Sequence, residues 1–84
     1  MEIRLPELIS GETGIITSIT EDERGLCGRL RDLGFAEKTP VTCVRAAPLG
    51  DPVAYRIRGA LIALRKKDAA CILVRSSEKT GGEL

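Results

Sequence analysis

Cys27, Cys43 and Cys71 are the only thiols in an 84-residue chain that contains no histidine. Without imidazole the chain lacks the commonest general base and the commonest transition-metal ligand. The three cysteines form no CxxC pair, so they lack the local spacing that makes a zinc motif specific. They read as three small buried hydrophobes. The alternative is a tertiary convergence of one helix cysteine with two strand cysteines into a thiolate site for a soft metal. Ser10, Ser18, Ser76 and Ser77 have no histidine to activate them and no lysine at dyad spacing, and read as turn and surface residues. Glu21, Asp22 and Glu23 form an acidic run of the kind that holds a hard cation, but they fall at an expected helix start, where negative charge is favoured by the helix dipole. No residue is assigned a catalytic, cofactor-binding or metal-binding role.

The basic residues have a pattern of their own. Arg56 and Arg58 alternate with Tyr55 and Ile57, which gives one strand an apolar face and a basic face. Arg65, Lys66 and Lys67 follow and would suit a phosphate or an acidic partner; a solvated turn is the plainer reading. No GxxxxGK[ST] loop is present to cradle a nucleotide, and EKTGG near the end carries its residues in the wrong order. A net charge of +1 and only two aromatic residues, Phe35 and Tyr55, argue against nucleic-acid binding, which draws on basic excess and stacking platforms.

These side chains need a scaffold, and the length bounds it. A chain of this size forms one domain and buries about 60% of its extended surface. Nine glycines and four prolines among β-branched residues favour a small barrel over a helical bundle. The longest apolar run, Ala69 to Val74, falls far short of the roughly 20 residues that cross a bilayer. No signal peptide opens the chain, and unpaired thiols fit a reducing compartment, so a cytoplasmic location is expected.

Along the chain, Leu5, Leu8 and Ile9 form a short apolar lead-in, and the first strand is expected to start at Thr13. Ile16 and Ile19 are three apart, which a regular strand cannot place on one face, so a bulge or bend is predicted between them, with Ile15 turned outward. Thr20 and Glu23 fit a capping box opening a helix from about Glu21 to Leu33, with Leu26, Leu30 and Leu33 as its apolar stripe. Gly34 stands where a left-handed C-cap belongs, and Phe35 is placed to fold back on the last turn. Strands are expected over Val41–Ala47, Val53–Arg58 and Leu61–Arg65, the first two separated by a reversal at Pro48, Gly50 and Pro52. Lys66–Ala69 reads as a single helical turn and Ala70–Val74 as the closing strand. The domain is set at residues 1–75, with a disordered tail over 76–84. The core is read as Ile16, Ile19, Leu26, Leu30, Leu33, Val53, Ile57, Ile62, Leu64, Ile72 and Val74. This order, mainly β with about five strands, one inserted helix and a one-turn helix before the last strand, resembles an SH3-like barrel.

Three segments carry a sharper resemblance: RLRDLGF at Arg29–Phe35, APLGDPVAYRIRG at Ala47–Gly59 and LRKKDAACILV at Leu64–Val74. In this order and spacing, over about residues 3 to 74, the chain resembles the ferrous iron transport protein A family. That resemblance implies a non-enzymatic cytosolic accessory protein of bacterial ferrous iron uptake. Its implied partner is the iron permease, through either the cytosolic GTP-binding domain or the membrane domain, with contact to the membrane only through that permease. One departure is visible: the family often has glycine a few residues after the LGF segment, where this chain has Ala36, Glu37, Lys38 and Thr39. Glu37 and Lys38 are therefore left out of the candidate surface, which comprises Ile15, Leu49, Asp51, Arg56, Arg58 and Leu61. Self-association is the other use of such apolar outer residues. Two further readings remain: a metal-responsive SH3-like module acting with an iron-dependent transcriptional repressor, although the chain has no DNA-reading helix-turn-helix, and RNA binding by a small barrel.

Overall fold

The computed structural model describes residues 1–20 and 25–76, with backbone alone at Leu26 and Cys27. Six strands form one antiparallel sheet in the order β1-β6-β2-β3-β4-β5: β1 Glu2–Arg4, β2 Thr13–Ile19, β3 Pro40–Ala46, β4 Val53–Ile57, β5 Ala60–Leu64 and β6 Ile72–Ser76. A 3-10 turn covers Leu5–Glu7, helix α1 covers Leu26–Asp32, and the one-turn helix α2 covers Lys66–Ala69, as the sequence predicts for α2. Strands β2 to β5 run as a meander, and β6 returns to pair with both β1 and β2.

The predicted irregularity in β2 is present. The β2–β6 register shifts between Ile16 and Ser18, so Ile16 and Ile19 are both buried despite their spacing. Thr17, at the shift, donates its hydroxyl to the Leu73 carbonyl at 3.2 Å. A second shift lies between Cys43 and Arg45 in β3. Helix α1 ends in the predicted way: Gly34 has φ 111°, its amide bonds the Arg31 carbonyl, and the Phe35 amide reaches the Leu30 carbonyl at 2.9 Å. That is a Schellman cap, and its companion apolar contact is supplied by the buried pair Leu30 and Phe35.

Several expectations need correction. The first strand is β1, not the segment at Thr13; three residues too short to read from periodicity pair Glu2 with Arg75 and Arg4 with Leu73. The helix does not run unbroken from Glu21, because Gly25 is left-handed at φ 74° and α1 starts after it. The capping box at Thr20 and Glu23 lies outside the described residues. Leu33 is not core: as the residue on which the helix ends it is 47% exposed. Ile9 is exposed as well, while its neighbours Leu5 and Leu8 are buried. Ile62 packs on the core half-buried. The closing strand is shifted two residues onward, so Ser76 pairs with Gly14 as part of β6; the expected disordered tail otherwise lies outside the described residues. Tyr55, Phe35, Val41 and Ala69 complete the core that the sequence left incomplete, and Cys43 is buried as the sequence reads it.

Beyond the cap of α1, residues 36–39 turn without a glycine. Thr39 donates to the Ala36 carbonyl across a reversal, and Lys38 takes φ 69° within it. Lys38 thus occupies a left-handed position that glycine fills without a steric cost. Its amide bonds the Ile16 carbonyl at 2.7 Å, which fixes the turn against β2.

Candidate functional site

The β4–β5 hairpin organises the outer basic face. Its connection is the pair Arg58 and Gly59, at φ 51° and 82°, the two positive values of a type I′ turn. Ile57 opposes Ala60, Arg56 opposes Leu61 and Ala54 opposes Ala63, so Val53, Tyr55 and Ile57 are buried while Arg56 is exposed. Across β3, Arg56 also opposes Thr42, whose hydroxyl shares a 2.7 Å hydrogen bond with that of Thr13 on β2. One row of the outer face therefore reads Thr13, Thr42, Arg56, Leu61.

The six predicted surface residues do not form one patch. Arg56 and Leu61 are direct cross-strand partners, and Arg58 follows in the adjoining turn, its stem 3.3 Å from where a Cβ on Gly34 would sit. Leu49, 96% exposed, and Asp51 belong to the proline turn at the other end of the hairpin, roughly 15 Å away at strand rise. Asp51 is committed to the fold, because its carboxylate accepts a 2.8 Å hydrogen bond from the Lys66 amide at the start of α2. Ile15 is half-buried on β2, opposite Pro40 and Arg75, and two strands separate it from β5.

Sequence reasoning missed an open trough of about 500 Å³ beside the proline turn, lined by Arg45, Pro48, Pro52, Ala54 and Ala63 among others. It exists because β4 and β5 place alanine opposite alanine on the outer face, and the two prolines wall one end. The signal was in the sequence: the residue alternating with Val53 and Tyr55 is small, whereas the next one along is arginine.

Cys43 and Tyr55 are placed for packing. Cys43 is buried in β3 beside Tyr55, and burial, reinforced by the Glu12 carboxylate, pushes its pKa up. A thiol held protonated is a poor metal ligand. Cys71 is half-buried, and its Sγ donates to the Asp68 carbonyl at 3.2 Å. Among the described residues no three histidine, cysteine, aspartate or glutamate side chains gather at metal-binding distance; the Cys27 side chain lies outside them. The Tyr55 hydroxyl is buried with no hydrogen-bond partner among the described residues, and burial, then Cys43 and Asp51, raise its pKa. No helix among the described residues is long and apolar enough to cross a membrane.

Comparison with known proteins connects this geometry to a family. A family model for the FeoA domain matches residues 3–76. A Porphyromonas gingivalis protein described as an Fe(2+) transport protein A/Fe(2+) transporter FeoB fusion protein is 40% identical over 73 residues, covering 86% of this chain and 8% of the relative. The chain thus spans under a tenth of that curated relative's length. Among solved structures, a FeoA-like protein from Clostridium acetobutylicum superposes with a TM-score of 0.85 at 28% identity, covering 98% of this chain and 94% of the other. A zinc complex of FeoA from Stenotrophomonas maltophilia, described as a prokaryotic SH3 domain protein, gives a TM-score of 0.77 at 27% identity, covering 86% and 88%. A manganese-dependent transcriptional repressor shares the fold alone, with a TM-score of 0.81 at 18% identity, over 89% of this chain and 36% of the repressor. With the family match spanning nearly all of the described fold, the chain belongs to the FeoA domain family, and its six-stranded sheet is an SH3-like fold.

Proposed function

We propose that this chain is a non-enzymatic cytoplasmic accessory protein of ferrous iron uptake that docks on the iron permease, at its GTP-binding domain or its membrane domain, and supports assembly or transport. The observation that carries this reading is the fusion relative, in which an equivalent domain is joined in one polypeptide to the transporter. Joining two modules supplies a high effective concentration; a separate chain must supply the same association through its surface. The outer face of β4 and β5, with Arg56, Arg58 and Leu61, is the proposed docking surface. Leu49 and Ile15 are candidates for its periphery, and Asp51 acts through the turn it braces. Cys43, buried with its thiol held protonated, lacks the thiolate that redox or nucleophilic chemistry needs, which favours an adaptor over an enzyme.

Calorimetric titration of the protein into detergent-solubilised permease, and into the soluble GTP-binding domain, each with and without a GTP analogue, tests this. Saturable binding that Leu61→Asp abolishes at unchanged melting temperature supports the docking surface. Absence of binding in all titrations removes the adaptor reading.

The metal-regulatory reading has one observation in its favour, the zinc bound by the Stenotrophomonas relative. It requires a metal-dependent rise in melting temperature in this chain without affinity for the permease.

A further inference from the structure

Among the described residues β5 is an open edge, with the chemistry of an acceptor for another strand. In a two-residue hairpin the residues flanking the turn form a hydrogen-bonded pair, and bonded and non-bonded pairs then alternate. Ile57 with Ala60, Tyr55 with Ile62 and Val53 with Leu64 are therefore the bonded pairs, and Leu61 and Ala63 sit in the non-bonded ones. The backbone N–H and C=O of Leu61 and Ala63 consequently point away from β4. Among the described residues no strand lies beyond β5, and there the two N–H groups donate, and the two C=O groups accept, no backbone hydrogen bond.

The side chains along this edge lack the features that usually blunt one. Ala60, Leu61 and Ala63 are exposed, with Leu61 at 60%, and no proline, bulge or inward-pointing charge interrupts the strand. Charge is concentrated around it instead. Six of the chain's 13 basic residues, but only one of its 12 acidic residues, fall between Arg45 and Lys67. All six cations, Arg45, Arg56, Arg58, Arg65, Lys66 and Lys67, are exposed, and the single carboxylate, Asp51, is held by the Lys66 amide.

From these observations we infer that β5 binds an extended acidic protein segment, which adds to the sheet as a seventh strand through the free backbone groups of Leu61 and Ala63. The segment has an apolar centre flanked by carboxylates. One of its outward side chains lies over the trough beside Ala54 and Ala63, its inward ones extend the core past Ile62, and its carboxylates meet the arginines at either end of β5. Main-chain bonds give the affinity and the alternate side chains the choice of partner. A second copy of the chain is the wrong occupant, because pairing β5 with itself sets six cations against six. The inference is independent of the permease reading, since it specifies the segment by chemistry and not by its owner.

The test uses the full chain and a synthetic peptide of alternating valine and threonine flanked by two glutamates on each side, followed by amide hydrogen exchange and amide chemical shifts. The expected result is about tenfold or greater slowing of exchange at Leu61 and Ala63, lost in high salt. A peptide N-methylated at the amides facing the edge should not bind, whereas methylation at the alternate amides should leave binding intact. Replacing its glutamates by lysines, or introducing Arg58→Glu with Arg65→Glu in the protein, should weaken binding by about tenfold or more. Leu61→Pro removes one edge donor; if it fails to fold, the methylated peptides decide the matter alone. No protection at millimolar peptide overturns the inference. So does equal binding of both methylated peptides, or protection of the edge by self-association without peptide. Displacement of the peptide by single-stranded RNA with the same shifts would assign the face to nucleic acid and overturn it too.

Discussion

The Asp51 carboxylate accepts a 2.8 Å hydrogen bond from the backbone amide of Lys66, fifteen residues away, and so joins the proline turn to the start of α2. The residue preceding α2, Arg65, offers no side-chain cap, and Asp51 fills that role from another element. Asp51→Ala should lower stability by about 1 kcal/mol, as loss of a helix cap does, and Asp51→Asn should retain most of it. Denaturant titration of both variants checks this. If they are equally destabilised, the charge on the carboxylate matters more than the bond.

Tyr55 fills the core with a ring whose hydroxyl bonds nothing among the described residues. An unmet buried hydroxyl costs about 1–3 kcal/mol, and phenylalanine keeps the ring while removing the cost. Tyr55→Phe should therefore raise the melting temperature. A clear fall would show that the hydroxyl has a partner, such as a buried water.

The same residue and Cys43 set the alkaline limit of stability. Both are acids whose pKa is raised by folding, Cys43 by burial and then Glu12, Tyr55 by burial and then Cys43 and Asp51. The unfolded thiol ionises first, near its ordinary value of about 8.5, while the folded one holds its proton. Their stabilising contribution is thus complete below that pH and is lost as pH rises toward the folded values, by up to about 1.4 kcal/mol per pH unit per proton. Denaturation free energies measured from pH 7 to 10.5 should be level at first and then fall. Cys43→Ala should delay the fall.

Two backbone positions give opposite expectations for glycine. Lys38, at φ 69°, carries left-handed strain, so Lys38→Gly should be neutral or stabilising by up to about 1 kcal/mol, and Lys38→Val should be destabilising. Gly14 is buried in β2 against β6, where an added Cβ would lie 3.1 Å from the Val74 Cβ and 3.2 Å from the Arg75 carbonyl oxygen. Gly14→Ala should cost about 1–3 kcal/mol, since the carbonyl it meets belongs to the β6 backbone. Thermal melts of these variants are sufficient.

How far the sequence discloses this fold depends on the range of the interactions involved. Gly34 and Phe35 announced the end of α1, and Ile16 and Ile19 announced the bulge, because a cap and a broken period are local. Lys66–Ala69 was equally plain. β1 was not, since three residues acquire strand character only by pairing with β6, some seventy positions later. Leu33 misled because helical spacing says nothing of which turn the chain leaves on. At the candidate surface, the alternation that exposes Arg56 was legible, but the status of β5 as an edge was not: it is a property of sheet order, which no short window contains. Asp51 was read as surface for the same reason, its partner at Lys66 being out of local reach.

The pairing of Glu2 with Arg75 brings the two ends of the described sheet side by side, within about 5.5 Å between Cα atoms. The fold is therefore nearly circular in sequence, and its order of elements is a convention of where the chain is cut. A few linking residues between Ser76 and Met1 in place of residues 77–84, with a new opening at the exposed Leu49, would produce a permuted chain with every described strand pairing unchanged. The proline turn would then become a pair of free ends.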